Sequence, residues 1–345
     1  MGNVVIGTGS YLPAKVVTNQ DIEAVVTDYD RTKAKGLSLD EWARQQHGAE
    51  TRRKVAHGEA TSDMATHAAR RALAEAAVDP KDLDLIILAT MSSDHRLPPS
   101  AGLVQANLET KAKFLQVDAA CSGFVDAILV AHSLMEAHGY RTVLVIGADA
   151  VTHFNHPTRF MPLTIFGDGA GAVVLHRSEQ LKEYGIKSFS TGSDGDLGDY
   201  VTIPGGASKL PFSQRVLDEE LHYWTFKFPK ISPWAVDRMV RCTLDSVARA
   251  GLALRDIDCV VPHQASVNII QEVATRLELA SDRFVLTYAH TGNTVAASIP
   301  IALDEANQKG RFSHGDWLVL PAVGAGMAWG AFTYRWYDYR SHPIR

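Results

Sequence analysis

Apolar runs without polar alternation recur along the chain and are separated by amphipathic or alanine-rich stretches. The segment from Leu83 to Thr90 lacks alternation, which is typical of a strand buried on both faces in a parallel sheet covered by helices. Strands alternating with helices in this way predict an α/β fold. The strands are predicted at 3–9, 83–90, 114–117, 143–147, 171–176, 259–262, 284–287, 318–321 and 330–335. The helices are predicted at 19–26, from residue 38 onward, and at 61–77, 124–138, 233–250 and 266–277.

The second half of the chain repeats the pattern of the first. Four segments of the first half are matched in type and order by four segments of the second, at a nearly constant spacing. We therefore expect two copies of one α/β unit, residues 1–177 and residues 178–345. A glycine-rich, loop-rich region between Arg177 and Ile231 is expected to join them. The matched segments are 82–87 with 256–261, 114–117 with 284–287, 143–145 with 318–320, and 171–173 with 330–332.

Cys121 stands between the strand predicted at 114–117 and the helix predicted at 124–138. At such a turn the first N–H groups of the helix point at the thiol, which favours the nucleophilic thiolate. A free cysteine in a tight turn can also be a small buried hydrophobic residue, so both interpretations stay open on this segment alone. The other cysteines, Cys242 and Cys259, form no CxxC pair, so neither a disulfide framework nor a metal site is expected.

Two further polar residues follow predicted strands of the second half, His263 after 259–262 and Asn293 shortly after 284–287. Sites form at the carboxyl ends of parallel strands, and two related halves bring these edges together. Read alone, a residue such as His263 is more often a core histidine, and one such as Asn293 is more often a turn residue. Together with Cys121 at a matched strand end, they favour covalent acyl transfer. The glycine-rich loop at 323–327 is expected to supply an N–H group for an oxyanion.

Composition restricts the partners. The chain has 345 residues, 46% of them apolar, and a net charge of −5 with histidines neutral. It has no broad basic field for nucleic acid or an anionic membrane surface, so neither is expected as a partner. Sparse cysteines and an N-terminus that begins directly with a strand predict a cytoplasmic protein. No uninterrupted apolar run reaches the ~18 residues of a membrane span.

Five motifs stand out together: AACSGF around Cys121, IFGDGAGAVVL at 165–175, VPHQA around His263, HTGNTVAASIP around Asn293 and GAGMAWG at 324–330. In combination they resemble the β-ketoacyl-ACP synthase III family of thiolase-fold condensing enzymes, over nearly the whole chain. The resemblance implies a thiolase-like, five-layered αβαβα fold built from two duplicated halves, and a homodimer. It also implies an acyl-CoA primer and malonyl-acyl carrier protein as substrates, with no cofactor beyond the coenzyme A thioester itself.

The resemblance implies a role for each matched residue. Cys121 takes the acyl group, and a decarboxylative Claisen condensation joins that group to a malonyl thioester held by His263 and Asn293. The N–H groups of Cys121 and Gly326 form the oxyanion hole. The CoA- and substrate-binding positions are Trp42, which stacks on the adenine, and Arg159, Phe160 and Ser266.

The chain departs from the family pattern at the nucleotide-facing and carrier-facing positions. Gln46 and Phe160 stand where the family has arginines beside the nucleotide. Ser266 replaces an asparagine, Asn268 replaces an arginine tied to carrier docking, and residues 28–36 lengthen the N-terminal region. The covalent site is therefore expected to be intact with a rebuilt CoA clamp and docking face, which favours a specialised enzyme or a primer other than acetyl. The basic residues that could rebuild the docking face are Lys227, Lys230, Arg238, Arg241 and Arg276.

Two other functions stay open. An acyltransferase or head-to-head condensing enzyme of specialised metabolism, forming an ester, amide or pyrone, would keep the fold and the acylated Cys121. A non-catalytic partner subunit would keep the fold alone. Retention of His263 and Asn293 favours decarboxylative condensation over the first, and the presence of all three active residues argues against the second. A Cys-His-Asn hydrolase is disfavoured because attack of water on the thioester would waste the acyl group. Residues 97–99 lie where the family limits the primer tunnel of the partner subunit.

Overall fold

The computed structural model describes residues 1–342, and the side chains of all of these except 228 and 229. Its strands are β1 (Gly2–Tyr11), β2 (Lys15–Thr18), β3 (Thr51–Lys54), β4 (Leu85–Ala89), β5 (Lys113–Val117), β6 (Thr142–Asp149), β7 (Gly169–Ser178), β8 (Gly185–Ser193), β9 (Val201–Thr202), β10 (Thr225–Phe226), β11 (Cys259–Val260), β12 (Trp317–Gly324) and β13 (Ala328–Arg335). Its α-helices are α1 (Asn19–Glu23), α2 (Leu39–Gln46), α3 (Thr61–Ala76), α4 (Ser100–Asn107), α5 (Gly123–His138), α6 (Phe160–Ile165), α7 (Gln214–Asp218), α8 (Phe228–Arg249), α9 (Val267–Arg276), α10 (Tyr288–Thr291) and α11 (Ser298–Gln308).

Two sheets carry the same strand order. The first runs β1-β7-β6-β4-β5, and the second runs β8-β13-β12-β11. In the first sheet β4 pairs in parallel with β6, while β6, β7 and β1 pair antiparallel. The second sheet repeats this pattern, with β11 parallel to β12 and with β12, β13 and β8 antiparallel. The repeat predicted from the matched segments therefore has a counterpart in strand order and direction.

Helices cover and separate the two sheets. α3 and α4 pack on the outer face of the first sheet, α5 and α11 lie between the sheets, and α8 and α9 cover the outer face of the second. Alternate residues of β4 face different layers: Leu85 and Ile87 belong to the central core, and Ile86 and Leu88 to the outer one. The burial of this strand on both faces and the five-layered αβαβα arrangement are both as predicted.

The segment between the two halves differs from its prediction. It was expected to be loop-rich, but it contains β8, which pairs with β13 and takes the place that β1 has in the first sheet. The predicted boundary at residue 177 falls within the last two residues of β7, and it stays a prediction. Residues 343–345 of the predicted second half lie outside the described residues.

The strands predicted at 259–262 and 284–287 are shorter in the structure. β11 ends at Val260, and the second segment makes a single parallel bridge, between Val260 and Phe284. Pro262 has no N–H to donate, which interrupts the ladder. Parallel pairing nevertheless continues to the site, because Val261 N donates to Val319 O at 3.0 Å and His263 N donates to Pro321 O at 2.8 Å.

The segment Ala120–His138 has the length and composition of a membrane span, with a mean hydropathy of 1.3. This differs from the expectation that no such segment exists, which counted only uninterrupted apolar runs. In the fold the segment is a helix of the central layer. Phe124 and Ile128, 1% and 2% exposed, pack there between the two sheets.

Candidate active site

Each half presents the same turn at the amino end of its central helix. In the first half a 3₁₀ turn, Ala120–Ser122, leads into α5, and in the second half a 3₁₀ turn, Val295–Ala297, leads into α11. The first residue of each turn is left-handed, with φ 44° at Ala120 and 53° at Val295. The conformation is uncommon for non-glycine residues, and here it recurs at the same position of both turns. By this register the counterpart of Cys121 in the second half is Ala296, so one copy alone carries the thiol.

Cys121 lies half-buried against an apolar cluster that contains Phe166, Trp224 and Val295. Burial raises the pKa of the Cys121 thiol to about 12, and the charge of Asp149 adds to the rise. A hydrogen bond from the Asn293 side chain opposes it. Burial therefore favours the neutral thiol in the resting site, in contrast to the expectation that the helix end favours the thiolate.

His263 is 1% exposed, and a hydroxyl fixes its orientation. Its Nδ1 lies 2.6 Å from Ser298 Oγ, at the first residue of α11. Nε2 is therefore the ring nitrogen that remains for a substrate. Burial lowers the pKa of His263 to about 3, so the imidazole is neutral at pH 7. Ser298 was not predicted, although it belongs to the same motif as Asn293.

Asn293 is held by a loop of the other half. Its N–H donates to Ile165 O at 2.8 Å, and its carbonyl accepts from Gly167 N at 3.1 Å. Its side-chain Oδ1 accepts from Val295 N at 2.9 Å. These bonds leave Nδ2 as the donor that reaches Cys121.

One cavity of about 320 Å³ brings the three predicted catalytic residues together, since Cys121, His263 and Asn293 all line it. Of the predicted CoA- and substrate-binding positions, Trp42 and Ser266 also line it. In addition, the Ser266 hydroxyl accepts from Ile269 N at 3.2 Å and caps α9. The rest of the lining is mostly apolar, including Met91, Ile165, Phe166, Trp224, Phe226 and Ile269.

Part of the segment that lengthens the N-terminal region packs against Trp42, which lines the cavity, whereas Phe160 is not among the lining residues. The Phe160 ring lies edge-on to Trp42 at 5.1 Å, and Tyr29 lies against both rings. Asp28 Oδ1 accepts from Phe160 N at 2.8 Å. Residues 28 and 29 of the lengthened segment thus support the Trp42–Phe160 pair. Arg159 does not line the cavity, and its guanidinium pairs with a carboxylate of Glu220 at 2.6 Å.

Gly326 differs from its predicted place. It is exposed and is not among the residues that line the cavity, whereas Gly324 and Ala325 are. A Cβ built on Gly324 would lie 3.1 Å from Cys121 N, so this part of the loop adjoins the thiol turn. Gly324 and Ala325, rather than Gly326, are therefore the loop residues that the structure places beside the Cys121 turn.

The predicted docking residues have partners within the chain. Asn268 Nδ2 donates to the carbonyls of Gln45 and Gln46, at 3.0 and 2.7 Å, and so closes the end of α2. Arg276 pairs with Glu272 at 2.9 Å. Among the other basic positions, Lys227 pairs with Asp199, Arg241 pairs with Asp237, Lys230 lies over the Tyr200 ring and Arg238 lies over the Trp329 ring. No cluster that could hold a metal ion occurs within residues 1–342.

Comparison with known proteins gives a consistent result. Two family models match: 3-oxoacyl-[acyl-carrier-protein (ACP)] synthase III over residues 115–195, and the C-terminal model of the same family over residues 247–336. The chain is 41% identical over 334 residues to β-ketoacyl-[acyl-carrier-protein] synthase III of Alkalilimnicola ehrlichii, covering 96% of this chain and 98% of the relative.

Solved structures agree in fold. The crystal structure of 3-oxoacyl-[acyl-carrier-protein] synthase III from Aquifex aeolicus matches with a TM-score of 0.87 and 36% identity, over 97% of this chain and 100% of that one. The priming β-ketosynthase from the R1128 polyketide pathway matches with a TM-score of 0.87 and 28% identity, over 98% and 97%. The chain therefore belongs to the β-ketoacyl-[acyl-carrier-protein] synthase III family.

Proposed function

We propose that the chain catalyses a decarboxylative Claisen condensation. An acyl primer moves from a coenzyme A thioester to Cys121, and a malonyl thioester carried by acyl carrier protein extends it. The observation that carries this proposal is the convergence of Cys121, His263 and Asn293 on one cavity, with His263 neutral and its Nε2 directed away from Ser298.

The first step is acylation of Cys121. The sulfur attacks the thioester carbonyl, the bond to the coenzyme A sulfur breaks, and the thiol proton ends on the departing coenzyme A thiol. Charge develops on the carbonyl oxygen during the attack, and preorganised N–H groups stabilise such charge. We assign this role to the N–H groups of Cys121 and Ala325, because the 324–325 loop adjoins the Cys121 turn.

The second step is decarboxylation. The 2.6 Å contact between Ser298 Oγ and His263 Nδ1 suits a hydroxyl that donates to Nδ1, which places the ring proton on Nε2. Nε2–H and the Asn293 amide then donate to the malonyl thioester oxygen. The bond to the carboxylate breaks, carbon dioxide leaves, and the electron pair passes into the enolate. The enolate carbon attacks the acyl-Cys121 carbonyl and releases the thiolate of Cys121.

We propose that the enzyme works as a homodimer in the cytoplasm, with acyl carrier protein as a partner and without nucleic acid or a membrane. Leu97, where the family limits the primer tunnel of the partner subunit, is 83% exposed and so is accessible to a second subunit. The net charge of −5 supports the exclusion of polyanionic partners.

The test separates the two steps. Intact mass after mixing with a panel of acyl-CoAs measures loading, and labelled carbon dioxide from carboxyl-labelled malonyl thioester measures decarboxylation. Asn293→Ala should still load the primer but lose carbon dioxide release by ~10²–10³, the effect of one preorganised donor. Release at the wild-type rate in Asn293→Ala would instead favour a simple acyltransferase. No mass increment on the wild-type protein with any primer would favour the non-catalytic subunit.

A further inference from the structure

β6 ends in a carboxylate that neither proposed step uses. Asp149 is 0% exposed, and both of its oxygens accept hydrogen bonds. Oδ1 accepts from Thr90 Oγ1 at 3.0 Å, Met91 N at 2.9 Å and Ser92 Oγ at 3.0 Å. Oδ2 accepts from Ala296 N at 3.0 Å. A single carboxylate thus joins the loop after β4, in the first half, to the turn after Asn293, in the second half.

The internal repeat shows what this position corresponds to. β6 and β12 take equivalent places in the two sheets, and Asp149 and Gly324 are their respective last residues. In the second half the N–H of Ala296, the counterpart of Cys121, meets the Asp149 carboxylate. In the first half a side chain on Gly324 would begin 3.1 Å from Cys121 N, but glycine brings none. A carboxyl group therefore fills, in the copy without a thiol, the place that Gly324 leaves open beside the Cys121 turn.

We propose that Asp149 is a positioning residue that holds the Asn293 turn against Cys121, and that its charge also restrains the reactivity of the resting thiol. The second part follows from proximity, because Met91, whose N–H donates to Asp149, packs with Cys121 on one apolar cluster. The donors around Asp149 are uncharged, and burial raises the pKa of its carboxyl to about 7, so the negative charge is present above that pH and is lost below it.

The path from Asp149 to the Asn293 amide is short. Ala296 N is held by the carboxylate, and the neighbouring Val295 N donates to Asn293 Oδ1 at 2.9 Å. Val295 is β-branched and left-handed, with φ 53°, a conformation that persists only when its surroundings impose it. Releasing Ala296 therefore lets Val295 relax, and the Asn293 side chain moves with it.

The role in decarboxylation rests on the proposed function, whereas the effect on the thiol does not. Asp149→Asn keeps the size of the side chain but replaces one oxygen with an NH₂ group. At that position the NH₂ donor then faces a group that is itself a hydrogen-bond donor, so one hydrogen bond is lost. We expect roughly tenfold faster alkylation of Cys121 by iodoacetamide at about pH 8.5, above the pKa of about 7 of Asp149, with its pH profile displaced to lower pH, because the negative charge is gone. We expect carbon dioxide release from labelled malonyl thioester to fall ~10² because one donor is misplaced.

Two variants make the test specific. Asp149→Glu keeps the charge but lengthens the side chain, so it should retain the wild-type alkylation profile while losing carbon dioxide release. Asp168→Asn is the matched control, because Asp168 is also 0% exposed and accepts from Val55 N and from Thr152, but does not reach Ala296. It should leave the alkylation profile unchanged.

The outcomes separate this proposal from the proposed function. A wild-type alkylation profile with a wild-type rate of release in Asp149→Asn overturns the proposal. If Asp149→Asn does not fold, Asp149→Glu decides, and wild-type release in that variant overturns the positioning role. A wild-type protein that releases no carbon dioxide refutes the proposed function, and the alkylation profiles still decide whether Asp149 restrains the thiol.

Discussion

The most direct test of the site concerns a residue that makes no contact with the reacting carbon atoms. Ser298→Ala removes the hydroxyl 2.6 Å from His263 Nδ1 and leaves that nitrogen buried without a partner, since both residues are 1% exposed. Losing a buried hydrogen bond of this kind costs ~1–3 kcal/mol. At about 1.4 kcal/mol for each tenfold change, the step that needs a proton on Nε2 should slow roughly 5- to 150-fold.

The loss should be confined to one step. Acylation of Cys121 uses the backbone N–H groups, so intact-mass loading should stay close to the wild-type rate. The rate of carbon dioxide release should show the whole decrease. Since burial lowers the pKa of His263 to about 3, the ring is neutral from pH 6 to pH 8, and the deficit should be the same across that range.

A matched control separates the effect on the His263 tautomer from a general loss of protein stability. Ser246 is also buried, and its hydroxyl lies 2.8 Å from Thr333 Oγ1 in the outer layer of the second half, away from the cavity. Ser246→Ala should lower the unfolding temperature as Ser298→Ala does but leave carbon dioxide release intact. Equal release in the wild type and Ser298→Ala would refute the assignment of the Nε2 proton to this hydroxyl.

Four further predictions follow from the same geometry. Cys121→Ala should abolish the acyl mass increment, whereas Cys242→Ala and Cys259→Ala should retain it. An increment that survives in Cys121→Ala would show that another residue is the nucleophile. Trp42→Ala should raise KM for acyl-CoA roughly tenfold through lost base stacking and leave KM for the matching acyl-pantetheine unchanged; equal effects on both would contradict adenine stacking. Arg276→Glu should slow turnover with an acyl-carrier substrate more than with a CoA analogue, because carrier surfaces are acidic; equal slowing would place docking elsewhere. Light scattering should give twice the chain mass, and a value near 37.6 kDa would exclude the homodimer.

The sequence predicted the elements that have a repeated apolar pattern. β4 and β6 are continuous apolar runs, and their burial on both faces follows from that composition. β8 was missed because its segment, Gly185–Ser193, is rich in glycine and serine and lacks such a run. It forms a strand because β13 pairs with it along its length, a contact between distant parts of the chain.

The residues of the site also fall into those that the sequence could predict and those that it could not. Cys121, His263 and Asn293 could be proposed from strand ends and motifs, and the structure brings them to one cavity. Ser298 and Asp149 could not be predicted from the sequence, because each contacts a partner far away in the chain. No local pattern indicates which group a buried hydroxyl or carboxylate will contact. The oxyanion role of Gly326 stays a prediction, but the loop residues that line the cavity are Gly324 and Ala325. Several small residues in one loop fit such a role equally well until the path of the loop past Cys121 is known.

Burial shifts the two titrating groups of the site in opposite directions, and this suits the proposed order of events. It raises the pKa of the Cys121 thiol and lowers that of His263, so the resting pair is a neutral thiol and a neutral imidazole rather than an ion pair. A protonated imidazole beside the malonyl oxygen would deliver a proton to the enolate and end the reaction as an acetyl thioester. With a pKa of about 3, His263 can donate a hydrogen bond from Nε2 but holds no spare proton at pH 7. The enolate therefore survives until it reaches the acyl-Cys121 carbonyl. The same burial from water disfavours formation of the Cys121 thiolate. Acylation is therefore expected to depend on the backbone N–H groups near the thiol more than on a general base.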